Sequence, residues 1–220
     1  TRASRRHRVD RTGHRLALRR MARRSLGTGG EVLWWRWLRR TRRPRPLVLV
    51  CDISGSMQRY TRFFLRFAHA VARAGAPVET FCFGTSLTRI TRDLRTRDAD
   101  QALARVADRI TDWSGGTRIG ESLHTLNRRW VRRTIRSGAV VLIVSDGWER
   151  GDAARLGQEM AALRRACHRI LWLDPLAAQP GFAPETAGLR AALPHVDAFL
   201  PCANVASLED LARRLAVLSD

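Results

Sequence analysis

The stretch Leu47-Val48-Leu49-Val50-Cys51-Asp52-Ile53-Ser54-Gly55-Ser56 decides how this chain is read. An unbroken apolar run of this length describes a strand buried on both faces, as in parallel sheets covered by helices. It ends in a turn that carries oxygen side chains at alternate positions, Asp52, Ser54 and Ser56, with Gly55 to let the backbone turn tightly. Asp-x-Ser at a strand end is also ordinary turn chemistry. Two further segments lift the stretch above that reading. Val140-Val141-Leu142-Ile143-Val144 runs into Ser145-Asp146-Gly147, and the loop Trp113-Ser114-Gly115-Gly116-Thr117 supplies another hydroxyl between the two strands.

Working outward, strands and helices alternate. Tyr60, Phe64, Phe67 and Val71 recur at helical spacing and predict a helix ending near Gly75. Val78 to Phe83 predicts a buried strand, Leu87 to Thr91 an edge strand, and Asp98 to Ile110 a helix begun by an Asp cap. Ile119, Leu123, Leu126 and Trp130 stripe the next helix, and a helix over Asp152 to Cys167 follows the strand from Ala139 to Ser145. Ile170 to Leu173, a Pro-rich connection, Val196 to Leu200 and a helix from Ser207 complete the series. Before Leu47, residues 1–15 read as a polar, extended or disordered segment, and Leu16 to Leu26 as a short helix ended by glycines. Val32 to Leu38 reads as a Trp-rich strand that a turn through Pro44 and Pro46 folds against the 47–51 run, its tryptophans packed in the core or at an edge in preference to forming an exposed docking surface. The expected fold is α/β: a doubly wound, mostly parallel sheet with helices on both faces, Rossmann-like in type. The expected division is a basic arm over 1–46 and one domain over 47–220. Ligands of such sheets bind beyond the strand C-termini where strand order reverses, which is where Asp52 and Asp146 fall.

Hard cations such as magnesium take oxygen ligands in octahedral geometry. Ser54, Ser56 and Thr117 offer neutral oxygens, and Asp52 and Asp146 add negative charge, directly or through water. So few charges leave the ion under-compensated, and a carboxylate from a partner protein fits the open vertex.

The order Asp-x-Ser-x-Ser, then Thr, then Asp resembles the metal-ion-dependent adhesion site (MIDAS) of von Willebrand factor A (VWA) domains. It matches at Asp52, Ser54, Ser56, Thr117 and Asp146. The segments Asp112–Gly120, Asn127-Arg128-Arg129-Trp130 and Ser145-Asp146-Gly147-Trp148 are similar to the CoxE-like branch of these domains. So are Phe83-Gly84-Thr85, Trp172-Leu173-Asp174-Pro175-Leu176 and Ala192–Asp197. The likeness runs from about Thr12 to Leu215, with Leu-Asp-Pro at 173–175 where relatives often carry Asn-Pro. It implies that the two serines and Thr117 contact Mg2+, or Mn2+ as the alternative, while the aspartates hold it directly or through water. It also implies a protein-binding adaptor that works with a MoxR-type AAA+ ATPase as a chaperone in maturing a client metalloenzyme. For CoxE itself the client is carbon monoxide dehydrogenase. Gly55, Gly116, Trp113 and Trp148 would form the partner-binding rim, although Trp113 and Trp148 read equally well as buried loop anchors.

The formal net charge of +20 raises the question of nucleic acid. All forty basic residues are arginine, which reflects codon bias as readily as binding. Residues 1–46 hold sixteen of them against Asp10 and Glu31, so the charge sits in the arm. Such an arm suits an acidic protein face, an anionic membrane or nucleic acid. No nucleic-acid recognition signature accompanies it, so the acidic protein is preferred and peripheral membrane contact stays open. Cys51, Cys82, Cys167 and Cys202 form no close pair, which fits reduced thiols and a cytoplasmic setting. No secretory signal or bilayer-length apolar run is visible, and the chain opens without Met, as a piece of a longer protein would.

A metal-dependent phosphohydrolase is the competing enzyme reading. It lacks a second carboxylate at position 54 and any Gly-x-Ser-x-Gly elbow. His69 and His124 each lie about 140° from their helix's apolar stripe and are expected at the surface. Glu121 reads as a helix-start acid, and His168 and His195 have no ligand spacing. The chain is therefore expected not to be an enzyme, with nucleic-acid binding through the arm as the other alternative.

Overall fold

The computed structural model describes residues 2–28, 34–75, 77–110, 116–135 and 138–217. The chain divides into two compact units, one of Thr1–Pro44 with Ala216–Asp220 and one of Arg45–Leu215. The first contains strand β1 (Arg2–Asp10), the two-residue strand β2 (Arg15–Leu16), helix α1 (Leu18–Ser25) and strand β3 (Trp37–Arg43). β3 is central and antiparallel to both others. Its register sets Arg8 opposite Arg39 and Val9 opposite Leu38.

Residues 2–10 are extended, one of the two states expected, as a paired strand held by the backbone ladder and not by an apolar period that the sequence could display. Two other expectations for this region fail. The Trp-rich strand begins at Trp37, not Val32, and pairs with β1 and β2 instead of the 47–51 run. Val32 and Leu33 lie outside the described residues. The tryptophans are not uniformly packed: Trp37 is half-buried, but Trp34 and Trp35 are exposed, with the Arg24 guanidinium 4.5 Å over the Trp34 ring. The short helix is as expected, closing in a tight turn at Leu26–Thr28.

The second unit begins with β4 (Leu47–Asp52), helix α2 (Gln58–Arg73), β5 (Val78–Phe83), β6 (Leu87–Arg89) and helix α3 (Ala99–Arg109). It continues through α4 (Ile119–Arg129), β7 (Val140–Val144), α5 (Ala153–Ala166), β8 (Arg169–Asp174), α6 (Ala187–Ala192), β9 (Ala198–Pro201) and α7 (Val205–Val217). Six strands form one sheet in the order β6-β5-β4-β7-β8-β9, parallel except for the edge strand β6. β4 and β7 are buried at every position, which explains their unbroken apolar runs. Val48, Val50, Phe81, Phe83, Val141, Ile143 and Trp172 build the core with Ile119, Leu123 and Leu126 of α4. The Trp172 indole N–H donates to the Ser145 carbonyl at 2.8 Å, so the largest buried side chain leaves no polar atom stranded. Asp98, Asp152 and Thr186 cap α3, α5 and α6.

Here too the structure corrects details. Of the expected α2 stripe Tyr60, Phe64, Phe67 and Val71, Phe64 is buried and the other three are half-buried; the buried face centres one step round, on Thr61, Phe64, Leu65 and Ala68. His69 follows Leu65 by one turn, so it is buried, with Nε2 2.9 Å from the Thr96 carbonyl oxygen, and not at the surface as expected. His124 is half-buried, its Nδ1 2.7 Å from Glu159 Oε1. The Pro-rich connection holds the short helix α6. β6 stops at Arg89, before Thr91.

The chain leaves β4 toward β5 and β6, then returns to place β7 on the opposite side of β4. Strand order therefore reverses between β4 and β7, and the crevice beyond their C-terminal ends is the place to look for a ligand.

Candidate metal centre

Asp52 is the last residue of β4 and is 1% exposed. Its Oδ1 accepts from the Ser54 N–H at 2.8 Å, and its Oδ2 accepts from the Ser145 hydroxyl at 2.6 Å. Ser145 Oγ in turn accepts from the Gly147 N–H at 3.0 Å. The register that pairs Cys51 with Val144 carries Ser145 to the side of Asp52, so one hydrogen bond ties the two strand ends together. Sequence reading did not single out Ser145. Its signal is the register of β4 on β7, which no local pattern encodes.

Beyond Asp52 the chain makes a tight helical turn over Gly55–Met57 and enters α2. The Ser54 and Ser56 hydroxyl oxygens lie 3.2 Å apart, Ser54 buried and Ser56 exposed. The Thr61 hydroxyl reaches back to the Met57 carbonyl at 3.0 Å and the Asp52 carbonyl at 3.4 Å, fixing the helix to the turn. Gly55 is exposed with no positive φ, and a Cβ there would meet nothing within 4 Å. The turn does not itself demand glycine, contrary to the reason offered from sequence. Gly116 is different, with φ +90°.

Thr117 is buried, and two backbone bonds hold its segment at the same end of the sheet. The Arg118 N–H donates to the Gly84 carbonyl just past β5, and the Arg150 N–H donates to the Thr117 carbonyl, both at 2.9 Å. Asp146 follows β7, and its Oδ1 accepts from the Trp148 N–H at 3.1 Å. Trp148 is 63% exposed, so the buried-anchor alternative fails for it. Trp113, with residues 111–115, lies outside the described residues.

The loop after Asp146 is clamped. Gly147 has φ +71°, and its carbonyl accepts from the Thr186 hydroxyl at 3.0 Å. A Cβ on Gly188 would meet that carbonyl oxygen at 2.3 Å, so loop and α6 touch where neither has a side chain. Glu149 bridges to α4, accepting from the Gly120 N–H at 2.9 Å.

Burial pushes the Asp52 carboxyl up to about 6; the bonds from Ser145 and Ser54 oppose the shift, and the nearby Asp146 charge adds to it. Asp174, at the end of β8, is also pushed up to about 6 by burial, with Asp146 again contributing. Its Oδ1 accepts from the Leu176 N–H at 2.7 Å, and its buried Oδ2 has no partner. This end of the sheet therefore concentrates carboxylates whose charge the protein compensates incompletely. Among the described residues no group of three or more His, Cys, Asp or Glu side chains is placed to hold an ion. Any ion here must draw on hydroxyls as well as Asp52 and Asp146, an all-oxygen donor set that suits a hard cation. Cys51 and Cys82 are buried free thiols, the former pushed up to about 12 by burial, and neither is a ligand or a nucleophile in that state.

Residues 1–208 match the family described as VWA domain containing CoxE-like protein. No curated protein matches the chain. Among solved structures, proximal thread matrix protein 1 from the mussel byssus, in the form with a zinc-occupied MIDAS motif, is similar. It has 14% identity and a TM-score of 0.55, over 80% of this chain and 48% of that one. The pilus adhesin SpaC from Lactobacillus rhamnosus GG, in its open conformation, has 15% identity and a TM-score of 0.50, over 80% of this chain and 30% of that one. This chain spans about half the length of the first protein and less of the second. At these identities the likeness concerns the fold: the six-stranded unit has the VWA architecture expected from the sequence.

Proposed function

We propose, from the premise that this chain belongs to the VWA domain-containing CoxE-like family, that it is an adaptor whose β4–β7 crevice binds a partner protein through a divalent ion. The observation that carries the reading is the Ser145–Asp52 bond, which holds a buried carboxylate beside a hydroxyl pair at the reversal of strand order. Asp52 has both oxygens engaged by Ser54 and Ser145, which suits it to orient metal-bound water. Ser54, Ser56 and Thr117 would contact the ion, and Asp146 would balance part of its charge. The ion supplies a positive point at the surface that accepts an Asp or Glu of the partner. Exposed Trp148 gives the partner an aromatic surface beside it.

Mg2+ fits the donors best, with Mn2+ as the alternative. The family supports a MoxR-type AAA+ ATPase as the partner and a metalloenzyme as the client, with this chain holding the client while the ATPase supplies force. A cytoplasmic setting goes with that role. Among the described residues no helix is long and apolar enough to cross a membrane. The phosphohydrolase reading gains nothing from the histidines closest in sequence to the motif, since His69 faces Thr96 and His124 faces Glu159. Nucleic-acid binding through the arm has no base-reading feature to support it.

The test is capture of an ATPase or client from cell extract with Mg2+ and with EDTA, read by mass spectrometry. Capture should need Mg2+ and be lost in Ser54→Ala and Asp146→Ala. Equal capture in EDTA sinks the proposal.

A further inference from the structure

In the loop after Asp146, the other charged side chains have partners inside the protein. Glu149 accepts from the Gly120 and Gly151 N–H groups at 2.9 and 2.6 Å. Asp152 caps α5 through the Ala154 N–H at 2.8 Å, and in α5 itself Arg155 pairs with Glu121. Arg150 is exposed and has no acidic partner among the described residues. Yet its place is fixed. Its N–H is bonded to the Thr117 carbonyl, and its side chain lies across the bare face of Gly116. A Cβ at Gly116 would meet Arg150 Cδ at 2.8 Å and Nη1 at 3.0 Å. The glycine thus makes room for a guanidinium beside the hydroxyl-bearing Thr117.

We propose that Arg150 is a second acid-binding point next to the metal centre, so that the partner segment carries two carboxylates, one for the ion and one for this guanidinium. The inference rests on the docking-ion reading above. A guanidinium offers a planar fork of donors that matches a carboxylate with two parallel hydrogen bonds. Two positive centres side by side also repel each other until an anion bridges them. An acid-rich segment gains from both, and a lone carboxylate gains from one. Because Arg150 is exposed, the second contact contributes a gain of about 1.5-fold to fivefold in affinity, and salt screens it.

The experiment uses the full chain and labelled glycine–serine peptides with one Asp, or two at graded spacings, read by fluorescence anisotropy in Mg2+ and in EDTA. The best two-Asp peptide should bind more tightly than the one-Asp peptide by that factor, with the gain shrinking at high salt. Arg150→Ala should abolish the gain, Arg150→Glu should reverse it, and Arg150→Lys should keep part. Mn2+ binding, followed by electron paramagnetic resonance on the same variants, separates loss of the second contact from loss of the ion. Equal affinity of the two peptides for the unaltered chain overturns the proposal, as does a gain that survives Arg150→Ala. A one-Asp peptide indifferent to EDTA overturns the docking-ion reading, while the ratio of the two peptides still reports on Arg150. No binding by any peptide overturns both.

Discussion

The two units of this chain solve the problem of making a sheet in opposite ways. In the second, β4 and β7 are buried along their whole length and Trp172 sits in the core with its N–H bonded. In the first, β1 and β3 bring Arg8 opposite Arg39 while Trp34 and Trp35 face solvent. One sheet is stabilised by removing apolar surface from water, the other chiefly by backbone pairing, with the Arg8–Arg39 repulsion offset in part by Asp10, 3.1 Å from Arg8. The same residue types therefore have different worth in the two places.

That contrast can be broken most strongly at tryptophan. Trp172→Ala should cost about 3–5 kcal/mol, as a lower urea midpoint for the second unit. Trp35→Ala should change stability by less than about 0.5 kcal/mol in the same assay. Equal losses would erase the distinction between the units.

The next largest effect is with pH. Asp52 and Asp174 have folded-state values near 6, above the usual 3.8, so the folded chain binds more protons between those limits. Without divalent ions, the contribution of these two groups to stability should be fully present below the unfolded value and be lost as pH rises through about 6. The loss is about 3 kcal/mol for Asp52 and smaller for Asp174. Asp174→Asn should flatten the curve, and saturating Mg2+ should reduce the part due to Asp52. The same pH curve for the metal-free chain and for Asp174→Asn would contradict the assignment.

Ser145→Ala leaves a buried oxygen of Asp52 without its donor and should cost about 1–3 kcal/mol, together with weaker Mn2+ affinity by calorimetry. The smallest effect belongs to the first unit. Arg39→Thr removes a charge facing Arg8 and should strengthen β1–β3 pairing by about 0.2–1 kcal/mol, seen as slower hydrogen exchange at Val9. Faster exchange would show that the arginines do not oppose each other.

The same contrast explains what the sequence made legible. β4, β5 and β7 could be read because double-sided burial writes itself as apolar runs, and Asp52 and Asp146 because both fall just where such runs stop. β1 could not, since its arginines carry no period of two and its partner strand is some thirty residues away. His69 is not legible as buried because the aromatic spacing of α2 points one residue away from its true buried face, and a 100° rotation exchanges core for surface. α6 spans six residues, too few for an amphipathic pattern to show. Ser145 needed the register between two strands, which only folding supplies.

The contact between Gly147 and Gly188 also constrains how this protein can change over generations. Alanine at 188 would drive into the carbonyl of 147, and a side chain at 147 would strike Leu189 in a backbone conformation that favours glycine. Because one obstacle is main chain, no smaller neighbour can be chosen to restore the fit. The two positions have no single-step alternatives, so lineages that keep this loop against α6 must inherit both glycines together.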